Sequence, residues 1–237
     1  MSVINVTIWN EGRHGKTNSL VAEIYPNGLH GELKNYLDEF SDFKVTTATL
    51  DDPEQGLPNK LLENTDVLIW WGHCFHDEVD DALVERIQEN VLKGMGLICL
   101  HSAHHSKIFK KLMGTSCNLR WNDNRSEKIW TLMPSHPIAE GIPPYFDLEC
   151  EEMYGEFFDI PQPDELVFGG WFNSGEIFRS GCTFNRGYGK VFFFQPGHET
   201  NKAFKNENVL RIIKNALNWA KPSNRLAELS CIHAESI

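Results

Sequence analysis

The chain has 237 residues, 41% of them hydrophobic and 23% charged, and carries a formal net charge of −11 at pH 7. That length supports one large α/β domain with a substantial core, and an acidic balance with no Lys/Arg run argues against nucleic acid as a partner. No apolar run approaches the ~20 residues of a membrane helix, and MSVINVTIWN lacks the basic and apolar regions of a signal peptide, so a cytoplasmic setting without membrane contact is expected.

Val3–Trp9 has the β-branched and aromatic content of a strand, and Asn10–Lys16 is polar and glycine-punctuated like a βα loop. Gly28–Phe40 places Leu29, Leu33, Tyr36, Leu37 and Phe40 on one stripe, which is helical periodicity. Phe43–Leu50 reads as a second strand, Asp51–Pro58 as a loop, Asn59–Asn64 as a short helix and Asp66–Trp71 as a third strand. From Asp80 to Leu92, Leu83, Val84, Ile87 and Val91 recur at helical spacing, and Gly94-Met95-Gly96 closes the segment. Leu97–Leu100 is the fourth strand, followed by a basic helix over Ser106–Met113. This alternation predicts a layered βαβ architecture with a mostly parallel sheet. Residues 115–187 differ, with short strand candidates (Lys128–Leu132, Leu166–Phe172, Ile177–Thr183) among many turn residues, and read as an insertion with antiparallel pieces that caps the site. Lys190–Phe194 resumes an apolar strand and Asn206–Ala220 forms a last helix, so residues 1–222 are taken as one domain and 223–237 as a tail without a pattern.

Four apolar runs end in the same chemistry: Asn10, Glu11, Arg13 and His14; Gly72, His73, His76 and Asp77; His101, Ser102 and His104; Gln195, Gly197, His198 and Glu199. Ligands of open α/β sheets sit beyond the carboxyl ends of the strands, so these loops should converge on one site. Seven of the ten histidines fall in them: His14, His73, His76, His101, His104, His105 and His198. Imidazole serves as a metal ligand, as a general base near neutral pH or as a hydrogen-bond donor to sugar hydroxyls, and the spacing does not choose among these. The expected acid–base groups are His101, His198, Glu199 and Glu11, with Glu199 placed to orient an imidazole or take a proton. Arg13, Ser102, Glu152, Tyr154, Arg179 and Trp171 are the expected substrate contacts, Trp171 as a sugar platform, and His73, His76 and His104 the ligands of a divalent metal such as zinc. The six cysteines lack CxxC spacing, which implies neither disulfides nor a zinc–thiolate site, and Cys99 reads as core. Phe157, Phe158 and Phe172 leave room for a homo-oligomeric interface.

The blocks WNEGRH (Trp9–His14), WWGHCFHDEV (Trp70–Val79), LHSAHHSKIFKKLMGTSC (Leu100–Cys117), PSHPIAEGI (Pro134–Ile142), EEMYGE (Glu151–Glu156), FRSGC (Phe178–Cys182) and PGHET (Pro196–Thr200) resemble those of the ThuA-like family, named for trehalose utilisation, from residue 3 to about residue 220. The resemblance implies a flavodoxin-like three-layer sandwich of the class I glutamine amidotransferase kind. In those enzymes a cysteine nucleophile occupies the turn where His101 and Ser102 stand here, and a His-Pro-Glu segment corresponds to His198-Glu199 without its proline. With no thiol at that turn, glutamine hydrolysis is not expected. The implied substrate is a trehalose-type disaccharide, in native or 3-keto form, processed by His/Glu acid–base chemistry with or without a metal. The alternative is a sugar-binding or regulatory module that keeps the pocket without catalysis.

Overall fold

The structure, a computed structural model, describes residues 3–230. Its first half runs β1 (Ile4–Asn10), α1 (His14–Thr17), α2 (Ser19–Ile24), α3 (Gly28–Leu37), β2 (Phe43–Thr49), α4 (Asn59–Asn64), β3 (Val67–Trp71), α5 (Asp81–Leu92), β4 (Gly96–Leu100) and α6 (Lys107–Met113). Then come β5 (Arg120–Thr131), β6 (Tyr145–Gly155), β7 (Glu165–Phe172), β8 (Ile177–Arg186), β9 (Gly189–Phe194) and α7 (Glu207–Ala220). Strands β3 and β4 are buried at every residue, as continuous apolar runs demand when helices cover both faces of a sheet. The periodic helices bury the predicted stripes: Leu83, Val84, Ile87 and Val91 on α5, and Val209, Ile212, Ile213, Ala216, Leu217 and Ala220 on α7. Ser106 caps α6 by accepting from the Phe109 N–H, and Asn206 caps α7 by accepting from the Asn208 and Val209 N–H groups.

All nine strands form one sheet in the order β2-β1-β3-β4-β9-β8-β7-β5-β6. The first five are parallel, with α3 and α7 packed on one face and α4, α5 and α6 on the other. Their 2-1-3-4 order, completed by β9, is the flavodoxin-like arrangement, in which the crevice opens at the β1/β3 switch point. The other four neighbour pairings are antiparallel, which corrects the expectation of a mostly parallel sheet. Residues 120–186 return by hairpins, which need only short connections, whereas parallel pairing needs crossover helices this segment lacks. The β8–β9 hairpin turns in two residues, Gly187 and Tyr188; Gly187 has φ +58°, and a Cβ there would lie 2.6 Å from the Leu92 carbonyl oxygen.

Strand β6 has no counterpart in the periodicity reading, because its acidic sequence YFDLECEEMYG resembles a solvated loop. It pairs with β5 across two irregularities on either side of Arg125, beside Asn124 at φ +59°. Bulges bend a strand, and the far end of the hairpin, Arg120–Asn122 opposite Met153–Gly155, places Trp121 and Tyr154 beside the loops that follow β3 and β4. Phe158 and Phe172 are wholly buried and belong to the core, so of the three phenylalanines expected at an interface only Phe157, 75% exposed, is free for one. Cys74, Cys99, Cys117, Cys150 and Cys182 are free thiols, Cys99 buried inside β4. Arg225 ties the start of the tail to the carbonyls of Leu62 and Thr65 and to Asn90; the end of the expected tail, 231–237, lies outside the described residues. Among the described residues no helix is long and apolar enough to cross a membrane.

Candidate functional site

The loops after β1, β3, β4 and β9 meet at one edge of the sheet. The rings of His73, His101 and His198 stand 5.1–5.8 Å apart, centroid to centroid. Beside them opens a cavity of about 370 Å³ lined by His73, His76, Ser102, His104 and His105 of the loops, by Asn118 and Leu119, and by Trp121, Glu152 and Tyr154 of the β5–β6 hairpin.

Two buried glutamates fix the loops. Glu11, wholly buried, accepts from the backbone N–H groups of His73 (2.7 Å), Cys74 (3.2 Å) and Phe75 (2.9 Å) and from the His14 ring (2.9 Å). Burial opposes its charge, but these donors outweigh it and hold the carboxyl below its usual range. Glu151 on β6 accepts from the Gly197 and His198 N–H groups at 3.4 Å, long contacts that leave burial dominant, so its pKa rises to about 7. Glu11 is therefore the brace of the His73 loop. No lone pair of its carboxylate faces open space.

Facing the cavity are two carboxylate–imidazole couples of opposite order. In the first, Glu199 sits behind His73 and accepts from its Nδ1–H (2.9 Å), which leaves His73 Nε2 free. Glu199 also accepts from His14 (3.2 Å); burial opposes its charge, yet the two imidazoles hold it far below the carboxylate range. Between Glu11 and Glu199, His14 is pushed up to about 9 although burial works the other way. In the second couple the carboxylate faces the cavity and the imidazole lies behind. His101 Nδ1–H donates to the Gln195 carbonyl (3.0 Å) and Nε2 donates to Glu152 (3.1 Å), so both ring nitrogens carry protons. Burial disfavours this imidazolium, but the adjacent Glu152 raises the pKa, while Glu152, opposed by its own burial, falls to about 2. The His101 ring stacks on Tyr154 at 5.2 Å, and its backbone takes φ +55°, a strained conformation for a non-glycine residue at the sharp turn out of β4.

The expected site residues divide accordingly. His73, His76, Ser102, His104, Glu152 and Tyr154 line the cavity, and His198 and Glu199 stand directly behind it. His101, expected at the mouth, is completely buried and meets the cavity wall through Glu152 and Tyr154. Ser102 donates to the Gly72 carbonyl (2.8 Å) and joins the β3 and β4 turns. His104 donates to the Cys117 carbonyl (2.8 Å) and packs edge-on against Phe158 and Phe193; burial lowers it to about 3, so it is a neutral wall residue. Burial likewise lowers His76 and His198 to about 4. Three substrate-contact candidates stand apart. Arg13 is paired with Asp51 and Glu78 on the surface, and Arg179 is forked onto Glu156. Trp171 lines, with Arg179, a separate apolar groove that includes Trp130, Leu132 and Ile177. Two features carried no assigned role in the sequence reading: His14, visible in the first histidine loop, and Trp121, which lies on β5 opposite Tyr154 and is 62% exposed at the cavity.

The family model described as ThuA, trehalose utilisation, matches residues 5–220. A protein described as ThuA-like from Parabacteroides merdae superposes with a TM-score of 0.66 at 15% identity, covering 95% of this chain and 93% of its own. A second, from Bacteroides uniformis, gives 0.65 at 14% identity over 92% and 91%. A cytoplasmic protein from Salmonella typhimurium gives 0.60 at 13% identity over 93% and 100%. At these identities the likeness extends to the fold. No curated protein matches the chain.

Proposed function

The chain belongs to the ThuA, trehalose utilisation, family, and on that premise we propose that it is an enzyme of disaccharide catabolism acting on a 3-keto disaccharide or related glycoside by acid–base chemistry. The observation that carries this reading is the meeting of the two opposed couples at one cavity: an imidazole on His73 whose Nδ1 is held by Glu199, and an ionised Glu152 braced by His101. A ketone at C3 acidifies the C2–H bond. A base at His73 or Glu152 removes that proton, the electron pair forms the C1–C2 double bond, and the C1–O bond to the leaving sugar breaks as its oxygen takes up a proton. His101 and Glu199 are positioning residues in this scheme, since each acts through the group in front of it. Trp121 offers a broad apolar face of the kind against which the C–H side of a sugar ring packs, and Tyr154 a hydroxyl at the same wall.

The test is incubation with 3-keto-trehalose and a panel of 3-keto-glycosides, following free glucose by enzymatic assay and the eliminated product by mass spectrometry. Turnover that falls by about 10²-fold or more in His73→Gln and in Glu152→Gln is expected. Absence of turnover across the panel refutes the reading, and sugar binding without product would make the cavity a binding module instead.

A further inference from the structure

We propose that His73, His198 and Glu152 form a binding site for one divalent transition-metal ion of the zinc class. The inference rests on the functional reading of the same cavity for what the ion would do, but not for whether it binds. One ring nitrogen of each histidine and one oxygen of Glu152 lie within 4.8 Å of one another. Ligand atoms around a tetrahedral zinc, bonded at about 2.0–2.1 Å, stand about 3.3 Å apart, so a small inward movement of the side chains closes the set.

What separates this trio from a chance cluster is the bracing of each member. His73 donates Nδ1–H to the Glu199 carboxylate, which frees Nε2 and fixes the ring plane. His198 Nδ1 accepts from the Thr200 backbone N–H (3.2 Å) and lies 2.8 Å from the Thr200 hydroxyl, contacts that fix the ring plane. Glu152 places one oxygen, Oε2, 3.1 Å from His101 Nε2, and this contact fixes the carboxylate at the cavity wall. A carboxylate behind a ligating imidazole, as Glu199 stands behind His73, is the arrangement that orients a metal ligand and raises its basicity. Two histidines and one carboxylate leave coordination positions open, and both His73 and Glu152 line the cavity, so one open position would face a bound carbonyl oxygen and polarise it, while water acidified at another would supply, as hydroxide, the base in place of His73 and Glu152, which are then ligands. Among the described residues no lysine or arginine lines that cavity.

The competing sets fail on their own contacts. His14, His73 and Cys74 also come within reach of one another, but both ring nitrogens of His14 are engaged, by Glu11 at 2.9 Å and by Glu199 at 3.2 Å. Of the ligands expected from sequence, His73 remains. His104 has Nδ1 on the Cys117 carbonyl and its ring among aromatic side chains, and His76 belongs to neither converging set among the described residues.

Tag-free protein, stripped with chelator and dialysed, is titrated with Zn²⁺ by calorimetry and with Co²⁺ by visible absorption, in the absence of any sugar. The expected result is one ion per chain, with affinity reduced about 100-fold or more in His73→Ala and His198→Ala, about 10- to 100-fold in Glu199→Gln, and unchanged in His76→Ala. His73→Gln and His198→Gln, checked by circular dichroism, are measured alongside so that a folding defect is not mistaken for a lost ligand. No binding by the wild-type chain, or binding that survives the His73 and His198 substitutions, overturns the site. Metal bound with no turnover of any keto-sugar leaves the site standing and removes the substrate reading; turnover by protein that binds no ion does the reverse.

Discussion

The two halves of the sheet bury carboxylates on opposite terms. In the loops of the parallel half, Glu11 and Glu199 are surrounded by imidazoles and, for Glu11, backbone N–H groups, and are held ionised. On the strands of the antiparallel half, Glu127 and Glu151 each keep one oxygen without a partner, and burial pushes both upward. Glu152 shows that the partner and not the depth decides. It follows Glu151 on the same strand, its side chain leaves the opposite face of the pleat, and it meets His101 and drops to about 2. The cavity thus takes its charged carboxylate from the antiparallel half and the group that keeps it charged from the parallel half.

The strongest way to break that contrast is His101→Ala. Removing one member of a buried ion pair strands the other, so a stability loss of about 3–5 kcal/mol is expected from urea denaturation, with turnover reduced about 10²-fold or more. A variant of near wild-type stability would mean that Glu152 does not depend on His101.

A smaller effect is expected where the hairpin offers only an apolar face. Trp121→Ala should raise KM about tenfold while kcat stays within about twofold, the pattern of lost binding that substrate and transition state share. A fall in kcat at constant KM would contradict that role.

The mildest test concerns Glu127, whose Oε1 accepts from the Ser180 hydroxyl (3.1 Å) while Oε2 is unpartnered. Its folded-state pKa is raised by burial, so the stability it contributes is full below the unfolded value of about 4.3 and is lost as pH rises through the folded value. Glu127→Gln keeps the amide oxygen for Ser180 and removes the charge; it should gain about 1 kcal/mol over wild type at pH 8 and little at pH 4. Loss of stability at pH 8, read from urea midpoints, would show that the carboxylate is paired after all.

The same division governs how far the sequence could be read. Strands of the parallel half announce themselves because burial on both faces demands unbroken apolar runs, and α5 and α7 because their stripes repeat at 3.6 residues. From that alone the convergence of His73, His101 and His198 follows, since parallel strands deliver their following loops to one edge. Strand β6 is hidden because its glutamates imitate a solvated loop, and their burial depends on partners far away in sequence, Gly197 for Glu151 and His101 for Glu152. Trp171, the expected sugar platform, lies on a separate groove, and Trp121 reaches the cavity from a strand whose bulges no periodicity registers. Arg13 stands between Glu11 and His14 in sequence, yet its guanidinium turns outward to Asp51 and Glu78, a direction fixed by tertiary neighbours.

Glu152 keeps its charge because His101 keeps its proton, while the neighbouring His198 stays neutral, and nitrogen-resolved NMR of the histidine rings at pH 7 reads both states directly. The expected result is a doubly protonated His101 imidazolium and a neutral His198 ring. A neutral His101 beside a protonated Glu152 carboxyl would contradict it.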